Sequence, residues 1–396
     1  MRAGADFEQG ACDLCDAQKR KFLSNHKPMI AMSKKSLLTI AAVICLACGC
    51  RFATVRRVSD APEPDSLRFE VVDAPLAPVI DADHPDLSGN MYGFEGGSVV
   101  KEGGRYHLFV AEMAGDPFWA RMRLAHWISP DARNWRRAST LYETSGAMDI
   151  NDKRFSLWAP MPVFNEREDQ WDLFYIAYRP FSSKPTEVGH MDGRVWRAVS
   201  RMKGRGGIGG PYRDVGIVLQ PDSESQSWEG QQGTDSFYPW RAGGTWLGFY
   251  GSHNHFPQGP WLVGLAEASA LAGPWKRCAG LNPSPIERKF IENPIVARIG
   301  RKFVAVYDSS LDDTNPGYIP DGHHVGISVS SDGVHWPQGE RLDVQPGAAN
   351  WSEDIRTPLC LIPEGDGFYT MLYTGQRKGR KFWPVGLVRL KSMRER

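Results

Sequence analysis

Five stretches decide the fold: EGGRYHLFVAE at 102–112, REDQWDLFYIAY at 167–178, AGGTWLGFYGS at 242–252, IGRKFVAVYDS at 299–309 and GDGFYTMLYTG at 365–375. Each is a Gly- or Asp-containing turn followed by alternating aromatic and aliphatic residues, the pattern of a β-hairpin entering a half-buried strand. They recur at a period of roughly 60 residues, and a fixed long period is the mark of a repeat architecture. Each is followed by a third strand with its own signature: RLAHWISPDARNW from Arg123, RAVSRMKGRGGIGGPY from Arg197, VGLAEASALAGPW from Val263, VGISVSSDGVHW from Val325 and VGLVRLK from Val385. In the first four a small-residue strand leads through a turn to Trp or Tyr. Five sheets of three to four antiparallel strands arranged radially make an all-β, five-bladed β-propeller. The segment Arg68–Val72 is placed to complete the last blade. A β-sandwich is the rival, but a sandwich has no reason to repeat one three-strand phrase five times.

The front of the chain reads differently. Lys34 and Lys35 precede the apolar run SLLTIAAVICLA at 36–47, and Cys48, Gly49 and Cys50 follow. This is the layout of a secretory signal, too short to span a bilayer. The small-residue ending is similar to a bacterial lipoprotein signal, with Cys48 or Cys50 as the lipidated residue. Residues 1–50 are therefore an upstream extension plus export signal, 51–66 a linker, and 67–396 the propeller. The expected location is the bacterial envelope by a lipid anchor, otherwise periplasmic or secreted. Cys12 and Cys15 lack a second metal-binding pair at zinc spacing. Cys278 and Cys360 form no disulfide framework, and whether they pair is open.

Composition narrows the partners. The 396 residues carry 47 basic and 46 acidic side chains, a formal charge of +1, so no surplus exists to displace counterions from nucleic acid. Fourteen Trp, 41 Gly and 28 Pro suit many turns and flat aromatic faces able to stack on sugar rings or to fill a core. No metal-ligand spacing and no phosphate-binding loop on a strand–helix turn is present, so no cofactor is expected.

The inner strand of each blade lines the central channel, and counting back from each hairpin turn gives the residues that face it. Blade one offers Glu95, blade three Asp235, blade four Glu292, and blade five Glu353 and Asp354; blade two places Met161 at about the corresponding position. Carboxylates gathered at one point raise each other's pKa. Glycoside hydrolysis needs that, one carboxyl protonating the leaving oxygen and another activating water or attacking the sugar.

With TDSF at 234–237, IENPIV at 291–296 and Trp158-Ala159-Pro160, the chain resembles the five-bladed glycosidases of glycoside hydrolase family 43 and its relatives, including family 117. The resemblance implies Glu292 as general acid, Asp235 as the residue tuning its pKa, and Glu95 as general base. It departs from the family pattern in having Glu where blade one carries Asp. Asp81, Asp83 and Asp86 just upstream are alternative bases. An inverting reaction implies acid and base about 6.5–9.5 Å apart, a retaining one roughly 5–5.5 Å. Some relatives carry an axial calcium, which these carboxylates would suit.

Trp158 and Trp240 border the inner strands and are candidate sugar-stacking residues. His253 and His255 follow the blade-three hairpin and are candidates for the site rim, where the family 117 resemblance allows a His as acid. His323 and His324 read as surface-loop residues. Glu353 or Asp354 is a candidate for binding a sugar hydroxyl, and Asp354 is also a candidate partner for Arg356. Two other functions stay open: a glycan-binding surface lipoprotein without catalysis, and a phosphorylase or transglycosidase on the same fold. A phosphorylase needs a cationic cluster beside the acid to hold phosphate.

Overall fold

In the computed structural model, residues 67–310, 323–342, 344, 351, 354–376 and 379–393 are described. The expected export signal and linker, and Glu353, lie outside them. The described chain is nearly all β, in five sheets. Blade one comprises Phe94–Glu102, Arg105–Gly115, Arg121–Ser129 and Arg136–Glu143, and blade two Ser156–Asn165, Gln170–Pro180, His190–Lys203 and Tyr212–Leu219. Blade three holds Asp235–Ala242, Thr245–Ser252, Leu262–Ala268 and Lys276–Arg277, and blade four Ile291–Ile299, Lys302–Ser310, His323–Ser330 and Glu340–Leu342. Each pairs its strands antiparallel in chain order. The fourth strand is eight residues long on blades one and two but only two and three residues on blades three and four.

Blade five is assembled from both ends of the propeller. Asp354–Pro358, Phe368–Gln376 and Val385–Met393 are completed by Arg68–Asp73, which pairs antiparallel with the last strand, Arg68 opposite Met393 and Val71 opposite Leu390. This pairing covers the outer edge of Val385–Met393 and ties the two ends of the propeller into one blade. The Phe69 ring sits edge-on to Tyr369 at 5.1 Å, so the closing strand also buries an aromatic contact.

The repeat signatures have physical causes. Each hairpin tip holds a residue in the left-handed region: Gly103, Asp169, Gly243, Gly300 and Asp366, as the tight turns matching strand twist require. The Val-Gly that opens three of the third strands leaves room for an aromatic ring. A Cβ on Gly326 would lie 2.2 Å from the Tyr307 ring, and one on Gly386 2.4 Å from Trp351. The Trp after the third-strand turn fastens the blade: Trp135 donates to the Ala132 carbonyl and Trp275 to that of Leu271. Buried apolar side chains from neighbouring blades form continuous clusters between the sheets.

Candidate active site

In blades one to four the inner strand slips its register directly after the residue at its mouth, between Glu95 and Gly97, Trp158 and Met161, Asp235 and Tyr238, and Glu292 and Ile295. The residue following the mouth residue has positive φ in every case: Gly96 at 62°, Ala159 at 47°, Ser236 at 49° and Asn293 at 49°. A bulge of this kind re-aims a side chain at the cost of local strain. The bulges touch one another. A Cβ on Gly96 would meet that of Ala159 at 3.4 Å, the Asn293 N–H donates to Ser236 Oγ at 3.2 Å, and Asn293 Nδ2 donates to Thr357 Oγ1 at 3.4 Å. A ring of irregular backbone thus carries Glu95, Trp158, Asp235 and Glu292.

This geometry changes two of the sequence-based positions. On blade two Trp158, not Met161, stands where Glu95 stands on blade one, and Met161 is buried in the core. On blade five the register slips between Ile355 and Thr357, and the side chain delivered to the axis is Arg356. Of Asp354 only its place at the start of the strand, opposite Gln376, is described.

Arg356 is buried and joins the carboxyls. Its Nη2 lies 2.8 Å from Glu95 Oε1 and 2.7 Å from Glu292 Oε2, while Nη1 pairs with Asp308 on the second strand of blade four. Its guanidinium also lies 6.0 Å from the Phe290 and Trp383 ring centres, within the range of cation–π attraction. Asp308 accepts in addition from His323 Nδ1 at 2.8 Å. His323, expected on a surface loop, is buried at the start of the third strand, and His324 beside it is buried too. Sequence reasoning missed Arg356 and Asp308 as members of the site. The one available signal was an Arg in an apolar-flanked inner strand, IRTPL.

Asp235 sits in a neutral cradle. Its Oδ1 accepts from the Ser236 N–H at 2.5 Å and its Oδ2 from Gln232 Nε2 at 3.3 Å, and the buried Tyr178 hydroxyl bonds to it as well. Burial, then the nearby Glu292 charge, push Asp235 up from 3.8 to about 6. Burial pushes Glu95 from 4.5 to about 8; the Arg356 charge opposes this, and Glu292, Asp308 and Asp235 add to it. Glu292 is also raised, burial outweighing its ion pair with Arg356. Three buried carboxyls, Glu95, Glu292 and Asp308, share one guanidinium with Asp235 close by, so the cluster retains at least one proton near neutrality, and Glu95, raised to about 8, holds one.

Two oxygens at 2.8 and 2.7 Å from one nitrogen are no more than about 5.5 Å apart. The space between Glu95 and Glu292 holds a guanidinium nitrogen.

The remaining candidates separate. Trp158 is buried, donates to Ser156 Oγ at 2.8 Å and packs edge-on against His190. Trp240 lies at the opposite end of its strand from Asp235, next to the Gly243–Gly244 turn. It donates to the Gly333 carbonyl at 3.1 Å and packs against Phe249 and Trp336 between blades three and four. It is an inter-blade residue, not a sugar-stacking one. His253 is buried with its ring stacked on Trp261 at 4.6 Å, and burial lowers it to about 3, so it is neutral and a poor acid. His255 reaches the site at one remove: Nε2 lies 2.9 Å from Gln232 Oε1, the amide that holds Asp235.

Asp81 and Asp83 are loop residues lining a cavity of about 260 Å³ with Arg380 and Phe382, and Asp86 accepts from the Arg137 N–H at 3.1 Å. Cys278 and Cys360 are both free. Among the described residues no group of three or more His, Cys, Asp or Glu is placed to hold a metal.

No family model matches this chain, and no curated protein matches it in sequence. Solved structures do. BT0996, solved as an RGII complex, is 13% identical with a TM-score of 0.56, over 82% of this chain and 92% of that protein. Zg3597, a family 117 glycoside hydrolase of the marine bacterium Zobellia galactanivorans, is 14% identical with a TM-score of 0.54, over 82% and 90%. The catalytic domain of the Coprinopsis cinerea GH62 α-L-arabinofuranosidase is 14% identical with a TM-score of 0.50, over 83% and 98%. These likenesses establish the fold. The five-bladed propeller read from the repeats is shared with solved glycoside hydrolases.

Proposed function

We propose that this chain is a glycoside hydrolase acting on poly- or oligosaccharide. One observation carries the reading: Glu95, Asp235 and Glu292, from three blades, meet at the mouth of the channel, buried and short of positive charge. A cluster that must hold a proton on one carboxyl while another stays ionised is the equipment of glycosidic bond cleavage. That fold neighbours include glycoside hydrolases supports it, although a fold does not by itself assign a reaction. The Arg356 guanidinium at the axis is already engaged by three carboxylates, which weighs against a phosphate site and so against a phosphorylase.

In the arrangement the resemblance implies, Glu292 donates the proton, Glu95 activates water and Asp235 tunes, with inversion. Arg356 then has to yield the space between the two Glu side chains when substrate binds. The proton on Glu95 favours a second arrangement, in which Glu95 is the acid and Glu292, ion-paired with Arg356, attacks the sugar with retention.

The test is hydrolysis of arabinan, galactan and agarose-derived oligosaccharides, with product anomers followed by proton NMR. Glu95→Gln and Glu292→Gln should each lower turnover about 10²–10⁴-fold. An inverted first product selects the first arrangement and a retained one the second. Binding without hydrolysis, unaltered by either substitution, would leave the non-catalytic glycan binder as the better account. Residues 34–50 are read as an export signal with lipidation at Cys48 or Cys50, which mass spectrometry of the mature N-terminus tests.

A further inference from the structure

Loops that follow the second strand of each blade emerge on the face where the axial carboxyls lie, since Asp235 is paired with Gly251 and Ser156 with Tyr178 at that end. Two of these loops, from blades two and three, bring Phe181 and Phe256 together. Their rings are 6.2 Å apart at 33° and are 37% and 45% exposed. A lone exposed Phe needs no explanation. Here two from different blades form one open aromatic surface, and both backbones are anchored. The Phe181 N–H donates to the Gly189 carbonyl at 3.1 Å, closing its loop. The Phe256 N–H donates to Gln231 Oε1 at 2.9 Å, and Gln231 Nε2 returns a bond to the Phe256 carbonyl at 3.1 Å. The surface is tied to the axis, because His255, adjacent to Phe256, bonds to the Gln232 side chain that holds Asp235.

We propose that Phe181 and Phe256 are a stacking platform for a sugar unit lying beyond the axial carboxyls. The substrate is then a glycan chain running from the carboxyls over the blade-two and blade-three rim. Rigid, exposed aromatic faces suit the C–H face of a sugar ring, and rings already ordered lose little freedom on binding. The proposal rests on the glycosidase reading for the direction of the chain, but binding at the rim is measurable without turnover.

The full chain is run in native gels containing arabinan, galactan or agarose, beside Phe181→Ala, Phe256→Ala, the double variant and Phe256→Trp. At least one polysaccharide should retard the wild type and Phe256→Trp, and the double variant should bind it roughly tenfold more weakly. Unchanged retardation of a double variant with wild-type thermal stability overturns the platform, as does failure of all three polysaccharides to retard the wild type. If hydrolysis is found, the ratio of polysaccharide to 4-nitrophenyl glycoside turnover should fall roughly tenfold in the double variant. An unaltered ratio overturns the platform and leaves the glycosidase reading intact. Retardation that depends on the two Phe without any hydrolysis supports the platform and removes the glycosidase.

Discussion

Glu95 and Glu292, which stand on blades one and four, converge on a single nitrogen, Arg356 Nη2, at 2.8 and 2.7 Å. Three side chains far apart in sequence thus form one electrostatic unit, with Asp308 behind the arginine. A buried arginine among carboxyls is a partner none of them can lose without cost.

Replacing Arg356 should therefore be severe. Arg356→Met leaves buried carboxyls uncompensated, with an expected loss of about 3–5 kcal/mol in urea denaturation at pH 8. The loss should shrink at pH 5, where the carboxyls take up protons instead. Arg356→Lys should recover little, because one ammonium cannot reproduce the fork that serves Asp308 on one side and both Glu on the other.

The contributions of Glu95 and Asp235 to stability should fall as pH rises. Glu95 is raised from 4.5 to about 8 and Asp235 from 3.8 to about 6, so between these limits the native state binds more protons than the unfolded chain. The stabilisation is complete on the acid side and is lost as pH climbs through about 6 and then about 8. Buried histidines such as His126, His190 and His253, held below 6.5, act in the opposite sense up to about that pH, so the readout is the difference between wild type and Glu95→Gln: between about pH 6.5 and 8 the wild-type urea midpoint should fall relative to that of the variant. A difference that stays constant over this range would contradict the proton on Glu95.

Asn293 holds φ at 49° directly after Glu292, a conformation Asn and Gly tolerate and β-branched residues do not. Asn293→Gly should change stability by less than Asn293→Val, which should cost about 1–3 kcal/mol. The comparison is made by thermal unfolding. Equal effects would mean that the side-chain bond to Thr357, not the backbone, is what matters.

Trp240→Ala should destabilise by about 3–5 kcal/mol, as for a large buried aromatic. Retardation by polysaccharide at a temperature where the variant stays folded should match the wild type. Weakened binding by the folded variant would return Trp240 to the substrate.

The blades were legible in the sequence because each repeats a hairpin whose turn chemistry and aromatic alternation are local. Glu95, Asp235 and Glu292 were legible for a related reason, a constant offset from those turns. Met161 and Arg356 show where counting fails. On blade two the hairpin turn spans four residues, 166–169, where blades one, three and four use two, so a count from the turn falls on Met161 instead of Trp158; on blade five the bulge between Ile355 and Thr357 brings an arginine to the axis. Trp240 misled because a Trp near an inner strand has the same local signature at either end. Asp308 and His323 were hidden for another reason: they come from second and third strands, and only the packing of blade four against the axis makes them neighbours of Arg356.

The pairing of Arg68–Asp73 with Val385–Met393 also sets a timetable. During synthesis the first strand to emerge waits, without its partner, until almost every other strand has left the ribosome. Four blades can form their local hairpins early, but the fifth cannot exist until the last is made. A contact spanning nearly the whole chain is slow to find, and in the interval both partners are bare edges open to strangers. A nascent chain of this design stays unlocked through most of its own manufacture.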